Sequence, residues 1–277
     1  MDRKNNKVNP NRKRADHMKR TPITIHLADY PAQFHPLLGD AKVFDSSCSP
    51  EARVIYIDRD GGYYLKRAPK GSLANQACMT DYFHKKGLGC EMLAYASSDC
   101  DWLLTAKARG EDCTHPDYLS DPKRLCETTA TLLRSLHECD FADCPIPNRT
   151  ENYLATAKKN FLLGCYDTSL SPDTLCPPAE KSFQIVEENA HLLQSDTLLH
   201  GDYCLPNILL DNWRFSAFID LDGAGVGDRH IDLFWGAWTL RFNLHTDAYR
   251  QRFFDAYGRD KIDFALLELI EVIERFG

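Results

Sequence analysis

β-rich runs come first, between Arg53 and Thr105, and apolar residues recur at helical spacing from Ser120 onward. Such a chain builds an antiparallel sheet first and a helical region after it, since a parallel sheet would need helices interleaved between its strands. Arg53 to Asp58 and Gly62 to Arg67 are β-rich runs joined by Arg59-Asp60-Gly61, and Asp-Gly between such runs signals a hairpin. Ser72 is placed to cap a helix carrying Leu73, Ala77, Thr80, Asp81 and Phe83 that stops at Gly87, and Asp101 to Thr105 reads as the next strand. Ser120-Asp121-Pro122, a cap followed by proline in the first turn, opens a helix with Leu125, Leu132, Leu133 and Leu136 on one face, as far as His137. Further helices are predicted over about 150–163, 178–194, 230–243, 246–257 and 262–276, interrupted by two short strands near 207–211 and 215–220. The expectation is an α+β chain in which a small β lobe (23–108) precedes a larger, mainly helical lobe (109–277), with a connector near 106–112.

Charge sharpens this division. Of 277 residues with a formal net charge of −7, the first 22 hold eight Lys/Arg against Asp2 and Asp16, which leaves the rest near −13. Segment 1–22 is too poor in apolar residues to bury a core and is read as a basic, disordered leader, with Met18 a possible alternative start. An acidic body repels nucleic-acid backbones and favours a cationic small molecule as partner. No run is long enough to cross a bilayer and no signal-peptide core is present, so the expected location is the cytoplasm. Eleven cysteines without a C-x-x-C pair fit neither a disulfide framework nor a zinc site, and read as mostly reduced core residues. Oligomeric state is not legible.

The chemistry concentrates in Leu198 to Leu210, a polar, glycine-containing loop between two apolar strands. After Asn207 the chain turns at Asn212-Trp213-Arg214 and returns to Asp220, so an antiparallel hairpin brings Asn207 and Asp220 to one end. With Asp202 they form a set of oxygen ligands suited to Mg²⁺, and Asp202 stands where a base would.

His200-Gly201-Asp202 through Asn207, followed by Ile219-Asp220, resembles the H-G-D-x-x-x-x-N … I-D pattern of aminoglycoside phosphotransferases. Gly225 to Leu233 is similar to the G-x-x-D-x-x-x-D-L segment of the 3′-phosphotransferase (kanamycin kinase) branch, and Leu133 to His137, Asp143 to Pro145 and Asp101 to Leu104 resemble the same branch. The resemblance implies a protein-kinase-like two-lobe fold with ATP, or GTP in its place, as phosphate donor. It implies Asp202 as catalytic base, Asn207 and Asp220 as Mg²⁺ ligands, and Lys66 on the phosphates. Ser49, within Ser47 to Pro50, would cover the phosphates, and the backbone of Ala106 and Ala108 would meet the adenine. The implied activity is transfer of the γ-phosphate to the 3′ hydroxyl of an aminoglycoside, conferring resistance.

Three departures accompany the likeness. Gln76 stands where a glutamate would pair with Lys66, Asp222-Gly223 replaces an expected arginine, and Arg241-Phe242-Asn243 replaces an acidic stretch. Asp167, Glu271 and Glu274, with Asp247, are the candidate carboxylates for substrate ammonium groups. Because these lining positions depart most, kinases of choline, a sugar or an amino alcohol stay open. So do a weakly active nucleotide-binding protein and a two-metal hydrolase built from His200, Asp202, Asp220 and Asp222.

Overall fold

The computed structural model describes residues 20–166 and 177–277. Its first six strands are β1 (Thr21–Ile23), β2 (Lys42–Asp45), β3 (Arg53–Asp58), β4 (Tyr63–Pro69), β5 (Met92–Ser97) and β6 (Cys100–Ala106), with the short helix α1 (His35–Leu38) before β2 and α2 (Ala74–Lys85) before β5. They form one antiparallel sheet in the order β1-β2-β3-β4-β6-β5. Alternation sorts its two faces. Ile55, Ile57, Leu65, Trp102 and Leu104 pack with Phe34, Leu38 and Val43, while Ala68 and Leu103 pack with Leu73 and Ala77 beside α2. Lys66 shares the α2 side with Ala68.

After β6 come β7 (Glu111–Asp112), α3 (Pro116–Leu119), α4 (Pro122–His137), α5 (Arg149–Leu163), α6 (Ala179–Asn189) and β8 (Thr197–Leu199). The hairpin β9 (Ile208–Asp211) and β10 (Arg214–Phe218) follows, then β11 (Gly225–Gly227), α7 (His230–Leu244), α8 (Arg250–Tyr257) and α9 (Phe264–Ile273). Two compact units result. One runs through the sheet to Thr128 and takes in His200–Ala224; the other comprises Thr129–Leu199 and Gly225–Gly277. The sheet unit therefore continues past position 108 and includes the Asp202–Asp220 hairpin, because β7 joins β9 through Glu111↔Leu210.

Several expectations from sequence need correction. The leader does not reach residue 22: Thr21–Ile23 pair with β2, and the Arg20 guanidinium sits 4.0 Å from the Tyr56 ring centroid and donates to Tyr64 Oη at 2.8 Å. Positions 1–19, Met18 among them, lie outside the described residues. Strands β1, β2, β5, β7 and β11 were not expected; β11 pairs with the expected strand β8, and such short segments owe their structure to partners remote in sequence. Helix α8 starts at Arg250 rather than near 246, since His245 ends α7 at φ 55° and Asp247 O takes the Arg250 N–H in a turn. Among the described cysteines, all of them free, only Cys113 and Cys126 are buried.

Ser72 does not cap α2. Its hydroxyl donates to Pro69 O at 2.6 Å, and the Leu73 N–H at the helix start is taken at 2.9 Å by Asp101 on β6. Burial alone would raise the Asp101 carboxyl, but hydrogen bonds from Ser97, Gly71, Leu73 and Tyr95 outweigh it and hold the carboxyl down to about 2. A depressed carboxylate contributes stability above its ordinary value and loses it as pH falls through the depressed one. Asp101→Asn is thus expected to lower the melting temperature by several degrees at neutral pH, and the deficit should close as the pH approaches about 2. Thermal unfolding across that range checks it.

Among the described residues no helix is long and apolar enough to cross a membrane. In the helical unit, His137 and Asp232 are fully buried, His137 Nε2 3.2 Å from Asp232 Oδ2 and its Nδ1 2.8 Å from Tyr257 Oη. Asp228 accepts from Gln194 N–H and from the His230 backbone and ring. The two aspartates of the segment Gly225 to Leu233 are struts of that unit.

Candidate active site

The hairpin carries the site. Asn212 and Trp213 both take positive φ (50° and 67°), the two-residue turn that fits strand twist. A tryptophan there is costly, and it is held edge-on to Tyr118 (5.0 Å) with Arg124 4.3 Å over its ring. Phe218 pairs with Ile208, and Ile219 N–H donates to Asn207 O at 3.0 Å, so Asn207 and Asp220 emerge at the same end.

Asn207 reaches back to the loop, its Nδ2 donating to Asp202 O at 3.0 Å and to Asp202 Oδ2 at 2.9 Å. That fixes the amide, and Oδ1 accepts from no described residue. Asp220 takes the left-handed conformation (φ 59°, ψ 58°), a backbone state seen at sites where geometry is over-determined. Its Oδ1 accepts from Lys66 Nζ at 2.7 Å, and Lys66 also donates to Gln76 Oε1 at 2.8 Å. An oriented amide oxygen and a half-exposed carboxylate are hard donors that fit Mg²⁺ with waters and phosphates completing its shell. Among the described residues no group of three or more His, Cys, Asp or Glu is arranged around a metal.

Asp202 has its carboxyl raised above the ordinary value. Loss of hydration on burial is the main cause, and the Asp220 carboxylate acts in the same direction; His200, Cys204 and Asn207 oppose it. His200 is fully buried against Tyr203 and Phe218, and its Nδ1 accepts the Asp202 N–H at 3.3 Å. It is a support for the loop, which removes the hydrolase reading that used it as a metal ligand.

The remaining candidates divide. Ser49 is exposed in the turn between β2 and β3, a turn tied down by Ser47, whose N–H meets Asp45 Oδ1 and whose hydroxyl accepts from Val54 N–H. The neighbouring Cys48 thiol is pushed up by partial loss of hydration at its sulfur and then by the Asp220 charge, so this turn lies within the field of the Lys66–Asp220 pair. Ala106 N–H is taken by Glu91 O at 2.9 Å, whereas Ala108, past the end of β6, has no hydrogen-bond partner among the described residues. Glu271 lies in the helical unit and lines a small cavity with Asp247, Arg241 and Arg250. Glu274 is 3 % exposed, its Oε1 accepting from Tyr153 Oη and Trp235 Nε1, both at 2.9 Å. Asp167 lies outside the described residues. Sequence reading missed Asp101, which fixes the start of the helix carrying Gln76, and the row of aromatic rings Trp235, Trp238 and Phe242 on α7. Their i, i+3, i+7 spacing was visible but reads equally as core.

Residues 40–269 match the phosphotransferase enzyme family. The chain is also 51% identical over 256 residues to a probable aminoglycoside 3′-phosphotransferase of Lactococcus lactis subsp. lactis (strain IL1403), covering 92% of this chain and 98% of that one. The chain belongs to the phosphotransferase enzyme family. A second relative, the aminoglycoside 3′-phosphotransferase of Niallia circulans, is 32% identical over 164 residues, 59% of this chain and 62% of its own. Among solved structures, aminoglycoside phosphotransferase APH(3'')-Id from Streptomyces rimosus superposes with a TM-score of 0.73 at 22% identity, over 91% of this chain and 99% of that one. The α+β, protein-kinase-like fold expected from sequence is the fold of this family's structures.

Proposed function

We propose that this phosphotransferase moves the γ-phosphate of ATP to a hydroxyl of an aminoglycoside, the 3′ hydroxyl, and so confers resistance to it. One observation carries the reading: a single hairpin presents Asn207 bonded to Asp202 and, one residue beyond Ile219, Asp220 bonded to Lys66. A group able to take a proton and groups able to neutralise phosphate charge thus belong to one rigid element, and phosphoryl transfer needs little else. Identity to the L. lactis relative over nearly its whole length supports the aminoglycoside as acceptor.

In this reading Asp202 orients the attacking hydroxyl and takes its proton at a carboxylate oxygen, and the raised carboxyl makes it a better base than an ordinary aspartate. Asn207 Oδ1 and Asp220 would hold Mg²⁺, which when bound neutralises charge on the β- and γ-phosphates. Lys66 takes the α- and β-phosphates, the turn at Ser49 covers them, and Ala108, beside Ala106, offers its backbone to the adenine. Glu271 is the carboxylate for a substrate ammonium, while Glu274, buried and doubly hydrogen-bonded, keeps the end of α9 against Tyr153 and Trp235. A reaction consuming ATP belongs in the cytoplasm.

ADP release by the purified protein with Mg-ATP, across a panel of aminoglycosides and with Asp202→Ala as blank, tests the proposal. Saturable, Asp202-dependent release with kanamycin- or neomycin-like compounds is expected; release only with choline or simple sugars would move the substrate elsewhere. Gln76→Glu converts the neutral contact to Lys66 into an ion pair, and is expected to tighten ATP or raise turnover by about threefold to tenfold. Steady-state kinetics in ATP decides this, and an unchanged enzyme would mean that the amide positions Lys66 fully.

A further inference from the structure

On the face of the sheet turned away from Lys66, Arg53 and Arg67 are register partners on β3 and β4, and Trp102 on β6 is next in the same row. Like charges directly opposite on an antiparallel pair oppose its formation. Among the described residues neither guanidinium has a carboxylate ion-pair partner; Arg67 donates to Cys100 Sγ at 3.2 Å and lies 5.3 Å from the Trp102 ring centroid. Both arginines line a cavity of about 350 Å³. Ile55 and Leu65, fully buried, make its floor. Tyr30 closes one side, its ring 5.4 Å from that of Trp102 and tilted by 51°. The rim carries exposed His26 and Asp29, and the Asp45 carboxylate on β2 lies within the field of Arg53.

We infer that this cavity binds an aromatic carboxylate, its anionic group between Arg53 and Arg67 and its ring against Tyr30 and Trp102. Guanidinium forks match a carboxylate in geometry and charge. The volume lies at the small end of the range for ligand pockets, which suits one ring and its acid group. Because adjacent residues on a strand face opposite sides, the Arg67 cavity is separate from the Lys66 site.

The test is thermal unfolding of the full chain at low ionic strength, titrated with sodium benzoate against sodium chloride, with and without a saturating non-hydrolysable ATP analogue. A ligand that binds only the folded state raises the melting temperature with its concentration. Benzoate is expected to do so saturably in both settings. Arg53→Gln and Arg67→Gln should each weaken benzoate by about tenfold or more. Without benzoate Arg53→Gln should melt at or above the wild type, because the like-charge pair is gone, whereas Arg67→Gln also gives up the contacts with Cys100 and Trp102. Benzoate acting no better than chloride would overturn the inference. So would a gain unchanged in both variants, one abolished by the ATP analogue, or phenyl phosphate binding in place of benzoate.

Discussion

Asp202→Asn is expected to lower kcat by about 10²–10⁴-fold, the range for removal of a general base, while the KM for ATP stays close to that of the wild type. The same substitution is expected to leave the protein at least as stable at neutral pH. The sign follows from the raised carboxyl. With respect to this group, wild-type stability is full below the ordinary carboxylate value and falls as pH rises through the raised one, because ionising a buried acid costs the folded state. Asparagine, neutral throughout, carries no such cost and keeps a polar side chain beside Asn207. The advantage of the variant should therefore be greatest at neutral pH and vanish below the ordinary carboxylate range. Urea denaturation at both pH values, alongside steady-state kinetics, reads both halves. Near-normal turnover would remove Asp202 from the role of base, and a variant less stable at neutral pH would contradict the burial argument.

Gly201→Ala is expected to disable the site through the backbone alone. Gly201 has φ +80°, and a Cβ added there would lie 1.8 Å from Gly223 O and 2.1 Å from Gly223 C. The obstacle is main chain on both sides, so no rotamer change relieves it. Left-handed backbone in alanine costs about 1–2 kcal/mol and overpacking about 1–3 kcal/mol more. A total near 2–5 kcal/mol is a large share of the stability of an ordinary domain. Any relief must shift the loop against the turn that follows Asp220, which separates the two halves of the site. Gly164→Ala is the control: its φ is +68° but nothing lies within 4 Å of an added Cβ, so it should cost only the backbone part and leave turnover intact.

How far the letters carried the reading depends on where each residue finds its partner. Asn207 and Asp220 were placed together correctly because a hairpin is a local object and its turn is written in Asn212-Trp213. Lys66 and Gln76 came from the family resemblance rather than from their spacing, and only the structure shows Gln76 and Asp220 meeting at Lys66 Nζ. The cap of α2 was read wrongly. Ser72 is the right residue type, but Asp101 on a neighbouring strand outcompetes it, and no local pattern encodes a partner 28 positions away. Arg20 was misread for a related reason, since a guanidinium needs only the faces of Tyr56 and Tyr64 and no apolar run of its own. The aspartates Asp228 and Asp232 stood out as motif letters, yet their contacts with His230 and His137 are those of a scaffold. Glu274 looked like a surface ligand on a charged helix end, and its burial under Tyr153 and Trp235 could not be read from charge alone.

The most direct measurement is the position of the phosphate on the product. Kanamycin incubated with Mg-ATP and the purified chain, followed by phosphorus and proton NMR of the recovered antibiotic, is predicted to show a phosphate ester at the 3′ hydroxyl, and none when Asp202→Ala replaces the wild type. An antibiotic recovered unmodified by a protein that still binds Mg-ATP, or a phosphate that appears equally with Asp202→Ala, would contradict the account.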